Sequence, residues 1–283
     1  MKYIIHGATG AQGAPLFNQL IQSGKNVVAA VRNTSCLGNK PSIQVDLSSV
    51  DSLVSAYTNI KGVFIHLPLA DEASRLQYAK NIVAAVKIAK PERVVISTSG
   101  WKLGVEGDEN SALPTLIREL SDTTAKVAVI APKLYLENLL LPIVIEPAKE
   151  EGILGYPLRE NYPVSWCSHL DIADVAQRLL EDHSIIGVVE VGQLPAITGL
   201  ELAEAFSSYF SNKVTYQALT PATFGERLAS LFGAAAAAEV VKGYQEKALT
   251  QDSAIEIENS AQHRLKIYPR SVLQWLRELN IEE

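Results

Sequence analysis

Cysteine is scarce in this chain, with two in 283 residues. That excludes a disulfide-stapled scaffold, which needs paired cysteines at high density. Cys36 and Cys167 also lack any Cys-x-x-Cys or Cys/His ligand spacing. No metal site is expected, and both read as free thiols. Long apolar runs are absent too, falling far short of the roughly 20 residues that cross a bilayer. The start, Met1-Lys2-Tyr3-Ile4-Ile5-His6-Gly7, meets a glycine after only a few apolar residues. A signal peptide needs a longer apolar segment and a cleavage site. The expectation is a soluble, cytoplasmic protein with no membrane partner. Basic excess is also missing: 25 Lys and Arg face 31 Asp and Glu, a formal net charge of −6. A broad nucleic-acid surface needs clustered Lys and Arg, so no direct nucleic-acid partner is expected.

What is there is ample apolar content, 47% hydrophobic against 20% charged, which suits a packed core and not a disordered chain. Short Val/Ile runs alternate with amphipathic stretches. Strands are expected at Tyr3–Ile5, Val27–Val31, Ile43–Val45, Gly62–Ile65, Arg93–Ser97 and Lys126–Ile130. Helices are expected at 14–23, 50–57 and 73–89, the first closed by Gly24. Near-continuous apolar strands separated by helices are the mark of parallel strands buried on both faces. The fold class is therefore α/β, a doubly wound parallel sheet with right-handed crossovers. Beyond about residue 150 the rhythm changes. A helix at 171–180 and a strand at 187–192 return to the sheet, while 200–210, 224–247 and 271–279 read as helices of a smaller mixed α+β lobe. The expected division is a first domain at 1–155 with 170–192, and a smaller lobe at 156–169 and 193–283.

The most informative segment is Gly7-Ala8-Thr9-Gly10-Ala11-Gln12-Gly13. It follows the first strand directly and opens the first helix, the context that gives a glycine triplet physical meaning. One glycine permits a tight turn, one lets backbone approach a phosphate, and one lets helix pack on sheet. The helix N-terminus then holds a pyrophosphate. At the end of the second strand an acidic residue would accept from the 2′-hydroxyl of NAD, but the chain reads Val31-Arg32-Asn33. Arg32 cannot accept; it can pair with a 2′-phosphate, which points to NADP(H). The competing reading of Arg32 is a solvated surface arginine. Asp46, followed by Leu47, is placed to meet the adenine amino group, or else to cap the next helix. His66-Leu67-Pro68 ends the fourth strand where a cofactor would pass; His66 reads as a lining or packed residue before a catalytic one.

These segments resemble the NmrA-like branch of the atypical short-chain dehydrogenase/reductases. Ile96-Ser97-Thr98-Ser99, Ala131-Pro132-Lys133-Leu134-Tyr135-Leu136-Glu137-Asn138, Asp171-Ile172-Ala173-Asp174-Val175-Ala176 and Ile267-Tyr268-Pro269-Arg270-Ser271 extend the likeness along most of the chain. The resemblance implies a Rossmann-type domain and a small C-terminal lobe. It implies that Gly10, Ala11, Gln12 and Gly13 meet the pyrophosphate and Arg32 the 2′-phosphate, with Gly7 and Thr9 of the same turn also at the cofactor. Ser97 and Thr98 would lie on the nicotinamide side. Tyr135 and Asn138 would line a substrate cleft, with Ser99, Trp101 and Trp166 as further cleft residues. For both tryptophans the competing reading is core packing.

One departure matters. Ordinary short-chain reductases pair a tyrosine with a lysine in Tyr-x-x-x-Lys, where Tyr donates the proton. From Val105 to Thr124 there is neither tyrosine nor lysine, and Arg118 is a poor proton donor. No catalytic residue is assigned; Lys133 and Tyr135 are the weak candidates, Lys133 reading either as a cofactor-binding charge near the nicotinamide or as a solvated loop residue. Hydride transfer to a quinone needs little acid–base help, since the cofactor carries the chemistry. The expected function is an NADP(H)-binding reductase acting on a small apolar or aromatic acceptor such as a quinone or enone. The alternative is an NADP(H)-sensing regulatory protein without turnover. A sugar-nucleotide or isomerase-type enzyme ranks last, because it needs the Tyr/Lys pair. A homodimer or a protein partner is left open.

Overall fold

The computed structural model describes residues 2–281. Six short strands come first: β1 (Lys2–His6), β2 (Val27–Val31), β3 (Ser42–Gln44), β4 (Ile60–Ile65), β5 (Arg93–Ser97) and β6 (Lys126–Pro132). With β10 (Gly187–Val191) they form a seven-stranded sheet in the order β10-β6-β5-β4-β1-β2-β3. Pairing from β3 through β6 is parallel, with Ile4 opposite both Val28 and Val63. The order reverses beside β1, which puts the switch point between β1 and β4.

Crossover helices cover both faces. Helices α2 (Val50–Tyr57), α3 (Glu72–Ala89) and α4 (Ala112–Ser121) bury Leu53, Ile82, Val86 and Leu116 against Ile4, Val63, Val94 and Val127 of the sheet. Helices α1 (Gly13–Gln22) and α6 (His169–Glu181) pack against each other, and α6 also packs on β4, β5 and β6. Strands alternate their side chains between two apolar layers, so both halves of each run are buried, as with Val94, Val95 and Ile96 at 0% exposure. The helices start where small polar residues cap them: Ser49 accepts from the Ser52 N–H and Asp71 from the Ser74 N–H.

The chain forms two compact units. The first runs to Pro132 and regains 169–190 and 258–267; the second holds 133–168, 191–257 and the segment from Tyr268 onward. Both limits differ from the expected ones. Residues 133–155 leave the first unit because Leu136, Leu139, Val144, Ala148 and Leu154 are buried in the second unit's core. Residues 258–267 return to the first because helix α10 (Ala261–Leu265) sits by α6, and Arg264 donates to the carbonyls of Ile186 and Val188. A five-residue helix carries too little periodicity to announce this.

In the second unit β7 (Leu134–Tyr135) pairs with β9 (Trp166–Cys167), and β8 (Ile153–Tyr156) with β11 (Thr215–Ala218). Around them lie α5 (Pro142–Glu150), α7 (Gly199–Phe210), α8 (Pro221–Phe232), α9 (Ala234–Ala248) and α11 (Val272–Leu279). Its core is aromatic: Tyr156 meets Trp166, Phe224 and Tyr244 at centroid distances of 5.4–5.6 Å. The single helix expected over 224–247 is two, divided at Gly233, whose φ of +83° takes it out of the helical region. Helix α7 opens with a full capping box between Thr198 and Glu201.

Candidate functional site

The glycine turn lies at the C-terminal end of β1. Gly7 has φ +61°, and its carbonyl accepts from the Gly10 N–H at 2.8 Å. A Cβ on Gly13 would sit 2.3 Å from that same carbonyl oxygen, so helix and turn meet at a distance only glycine allows. Thr9, Gly10 and Ala11 are exposed at the tip, while Gln12 and Gly13 are buried behind it. The α1 N-terminus has no side-chain cap and no acidic residue in its first turn. Its neighbours are satisfied: α2 and α3 are capped, and the first N–H of α4 is taken by Glu72 Oε1 at 2.6 Å. An uncapped N-terminus beside an exposed tip leaves donors and a positive dipole end for an anion.

Gln12 stands at the cap position but turns its side chain elsewhere. Its Oε1 accepts from Ser97 Oγ at 2.6 Å, and its Nε2 donates to Ser99 Oγ at 3.0 Å. The amide thereby ties the glycine turn to the end of β5, which is 85 residues away in sequence. Ser99 N–H closes the arrangement on Ser97 Oγ at 3.2 Å. Thr98 is buried, its Oγ1 without a hydrogen-bond partner and its N–H donated to Ile130 O at 2.9 Å. Of the functional calls, Gln12 is the one whose partners no sequence pattern announced.

Two histidines sit behind the turn. The His66 imidazole covers the Cα of Gly7, where a Cβ would lie 2.2 Å from Nε2. That nitrogen is buried without a hydrogen-bond partner, and burial lowers the pKa of the ring, against the raising effect of a hydrogen bond at the Leu67 backbone. Leu67 is buried and Pro68 half-buried in the turn that follows. His6 is buried deeper, Nε2 lying 2.8 Å from the Tyr57 hydroxyl. Burial, with the nearby His66, lowers its pKa from 6.5 to about 3. An unfolded His6 takes up a proton below pH 6.5 and the folded one does not, so folding stability is complete above pH 6.5 and falls as pH drops toward 3. The expected loss is about 2 kcal/mol between pH 6.5 and 5. Urea unfolding of wild type and His6→Gln at both pH values checks this: the variant's pH slope should be shallower by that amount, and equal slopes would refute it.

Arg32 follows β2, is exposed, and forms no ion pair or hydrogen bond among the described residues. Asn33 beside it accepts from Ser35 N–H at 3.0 Å and starts a short 3-10 turn over Thr34–Leu37. Asp46 is exposed, and its Oδ1 accepts from the N–H and Oγ of Ser48 at 2.8 and 2.7 Å, bonds that lower its pKa. The cap of α2 is Ser49, not Asp46. The Leu47 carbonyl is held by Asn81 Nδ2 at 2.9 Å.

The remaining candidates divide. Trp101 is 54% exposed in the first unit, its indole 4.5 Å from the Arg75 guanidinium. Lys133, Tyr135, Asn138 and Trp166 belong to the second unit. Lys133 is half-buried. The Tyr135 phenol is pushed well above its ordinary pKa by burial and by Cys167 and Glu137. That makes it a hydrogen-bond donor and a poor source of protons. The Asn138 side chain lies near enough to the Tyr156 hydroxyl to lower its pKa, against the larger raising effect of burial. Trp166, expected in a cleft, is 1% exposed and packed on Tyr156; it is a core residue. Metal-ligand clusters are absent among the described residues, and no described helix is long and apolar enough to cross a membrane.

Comparison with known proteins bears on this arrangement. No curated protein matches the sequence. Among solved structures, a triphenylmethane reductase from Citrobacter sp. complexed with NADP(H) is similar at 15% identity with a TM-score of 0.82, covering 98% of this chain and 99% of that one. The Escherichia coli NADPH-dependent quinone oxidoreductase QOR2 complexed with NADPH matches at 18% identity and a TM-score of 0.73, again over 98% and 99%. A Staphylococcus aureus nucleoside-diphosphate-sugar epimerase matches at 18% identity and a TM-score of 0.75, over 98% and 100%. At these identities the likeness is one of fold, a Rossmann-like α/β architecture. The NmrA-like family model, by contrast, matches residues 2–276, and on that match over nearly its whole length the chain belongs to the NmrA-like family.

Proposed function

We propose that this chain is an NADP(H)-dependent reductase that passes a hydride to a small apolar or aromatic acceptor such as a quinone or enone. One observation carries the reading: an uncapped helix N-terminus behind an exposed glycine tip, with the unpartnered Arg32 at the end of the neighbouring strand. Backbone donors suit a pyrophosphate and the free guanidinium suits a 2′-phosphate. The NADP(H) complex of the triphenylmethane reductase and the NADPH complex of the quinone oxidoreductase support the same assignment.

In this reading Gly7, Thr9, Gly10, Ala11, Gln12 and Gly13 form the pyrophosphate cradle. Arg32 meets the 2′-phosphate, Asp46 and Leu47 border the adenine, and His66, Leu67 and Pro68 border the ribose. Ser97 and Thr98 border the nicotinamide, and Ser99 and Trp101 the acceptor. The bound dinucleotide supplies the hydride. The chain's own side chains bind and orient, and water is the proton source, since Tyr135 is held protonated and α4 has neither tyrosine nor lysine.

Calorimetric titration with NADPH and with NADH tests the cofactor assignment. NADPH should bind the wild type more tightly. In Arg32→Ala its affinity should fall about 10- to 100-fold, the worth of a charge-assisted phosphate pair, with NADH unchanged. A variant that keeps the NADPH preference would sink the role of Arg32. A second reading, an NADP(H)-sensing regulator without turnover, draws on the missing acid–base pair between Val105 and Thr124. Cofactor binding with no oxidation by a panel of quinones and enones would favour it.

A further inference from the structure

The loop after β5 carries a tryptophan that the fold holds out to solvent. We infer that Trp101 is the stacking platform for the acceptor ring, and that Arg75 behind it selects neutral or anionic planar acceptors over cationic ones. This rests on the reductase reading above.

The placement comes from the backbone. Trp101 N–H donates to Thr98 O at 3.1 Å, closing a four-residue turn. The two central residues, Ser99 at φ +55° and Gly100 at φ +84°, are both left-handed, the conformation of a tight primed turn. The turn reverses the chain at the carboxyl end of β5. Open α/β sheets bind their ligands on that rim. Ser99 in the same turn is held by Gln12, so the position of Trp101 is tied to the glycine turn.

Arg75 lies over the indole, and more than half of Trp101 is left to solvent. The other two tryptophans are at 1% and 0% exposure, whereas Trp101 is at 54%. Arg75 is 7% exposed, and its guanidinium lies over the indole at 4.5 Å. Arg75 is itself fixed by Glu72 Oε2 at 2.9 Å, and the second carboxylate oxygen of Glu72 takes the first N–H of α4. Glu72, Arg75 and Trp101 are thus a built chain that ends in an exposed indole. An aromatic face attracts cations through its quadrupole. Here a cation already lies over the indole, so a ring stacked on that indole feels its field, which the Glu72 carboxylate offsets only in part. A neutral or anionic ring stacks with that field; a cationic ring is repelled by it.

The test uses the whole protein. Loaded with NADP⁺, which has no hydride to give, it is titrated with 1,4-naphthoquinone (neutral) and with crystal violet (cationic) while tryptophan emission is followed. Turnover with NADPH is then measured for each. Naphthoquinone should quench the wild type and not Trp101→Leu. The KM of Trp101→Leu for naphthoquinone should rise about tenfold, a typical worth for a stacked pair, with kcat and NADPH affinity within about twofold of wild type. Trp101→Phe should recover part of the loss. Crystal violet should bind the wild type at least tenfold more weakly than naphthoquinone and gain in Arg75→Gln; should that variant not fold, the wild-type ratio decides the charge preference. An unchanged KM in Trp101→Leu, or equal binding of the two probes, overturns the inference while the NADPH titration stands. No NADPH binding at all overturns the reductase reading, and the inference with it.

Discussion

Gly13→Ala should lower NADPH affinity by about 100-fold or more, a larger effect than any single contact residue would show. The added Cβ would stand 2.3 Å from Gly7 O, 2.5 Å from Gly7 C and 2.7 Å from His6 O, all backbone atoms that cannot swing aside. The only relief is to push the start of α1 off the end of β1. A misplacement of roughly 1 Å in a group that must orient a ligand costs on the order of a hundredfold. The same overpacking should cost about 1–3 kcal/mol of stability. Gly10→Ala is the control, since its Cβ would approach Gly7 O at 3.3 Å, which a small shift accommodates. It should fold as wild type, so any loss of NADPH affinity there reports a phosphate lying close over the tip. Calorimetry with urea unfolding of both variants checks the pair. A Gly13→Ala protein that binds NADPH within threefold of wild type would show that the turn does not hold the cofactor.

Arg93→Met should be the most destabilising conservative-volume change in the first unit, by about 3–5 kcal/mol. Arg93 is fully buried, at the first position of β5. Its Nε donates to Leu179 O at 2.6 Å, one terminal nitrogen to Ile185 O at 2.7 Å and the other to Lys126 O at 3.4 Å. Leu179 lies in the last turn of α6, where carbonyls lack intrahelical partners and the dipole is negative. One guanidinium thus ties the end of α6, the turn before β10 and the start of β6 together. Burial lowers its pKa to about 10, opposed by Asp182, so it stays charged at neutral pH. Methionine fills much of the volume but leaves buried carbonyls without donors, each costing about 1–3 kcal/mol. Arg93→Lys keeps the charge and loses the fork, and should fall between. Urea midpoints decide it; a loss under about 1 kcal/mol for Arg93→Met would mean water replaces the guanidinium at little cost.

Arg93 also shows where a linear reading stops. Its place in a Val/Ile run marks it as part of a strand, but nothing local says that a buried charge belongs there. Its carbonyl partners lie 33 to 92 residues away. Gly62 is of the same kind. A Cβ there would meet Arg93 Cβ and Leu180 at 3.2 Å, a contact made only when β4, β5 and α6 are assembled. Gly233 could have been read earlier, since a glycine before an alanine run is a helix-breaking signal. The Ser99-Gly100 pair is a turn signal of the same sort, and it sets Trp101. For Trp166 the sequence held two readings, cleft and core, and burial chose the second.

By itself the sequence determined where the strands of the sheet lie along the chain and their parallel class, the glycine turn and the choice of arginine after β2. Each of these depends on periodicity or on residues within about four positions of one another, which is the range of backbone hydrogen bonding and turn geometry. Tertiary structure alone decided that Gln12 clamps Ser97 and Ser99, that His66 lies on Gly7, that Arg75 backs Trp101, and that residues 133–155 and 258–267 change units. Those outcomes are set by which strands become neighbours and by which segment offers the larger apolar face to bury. Both are properties of the assembled chain, in which residues 26 to 87 positions apart first come into contact.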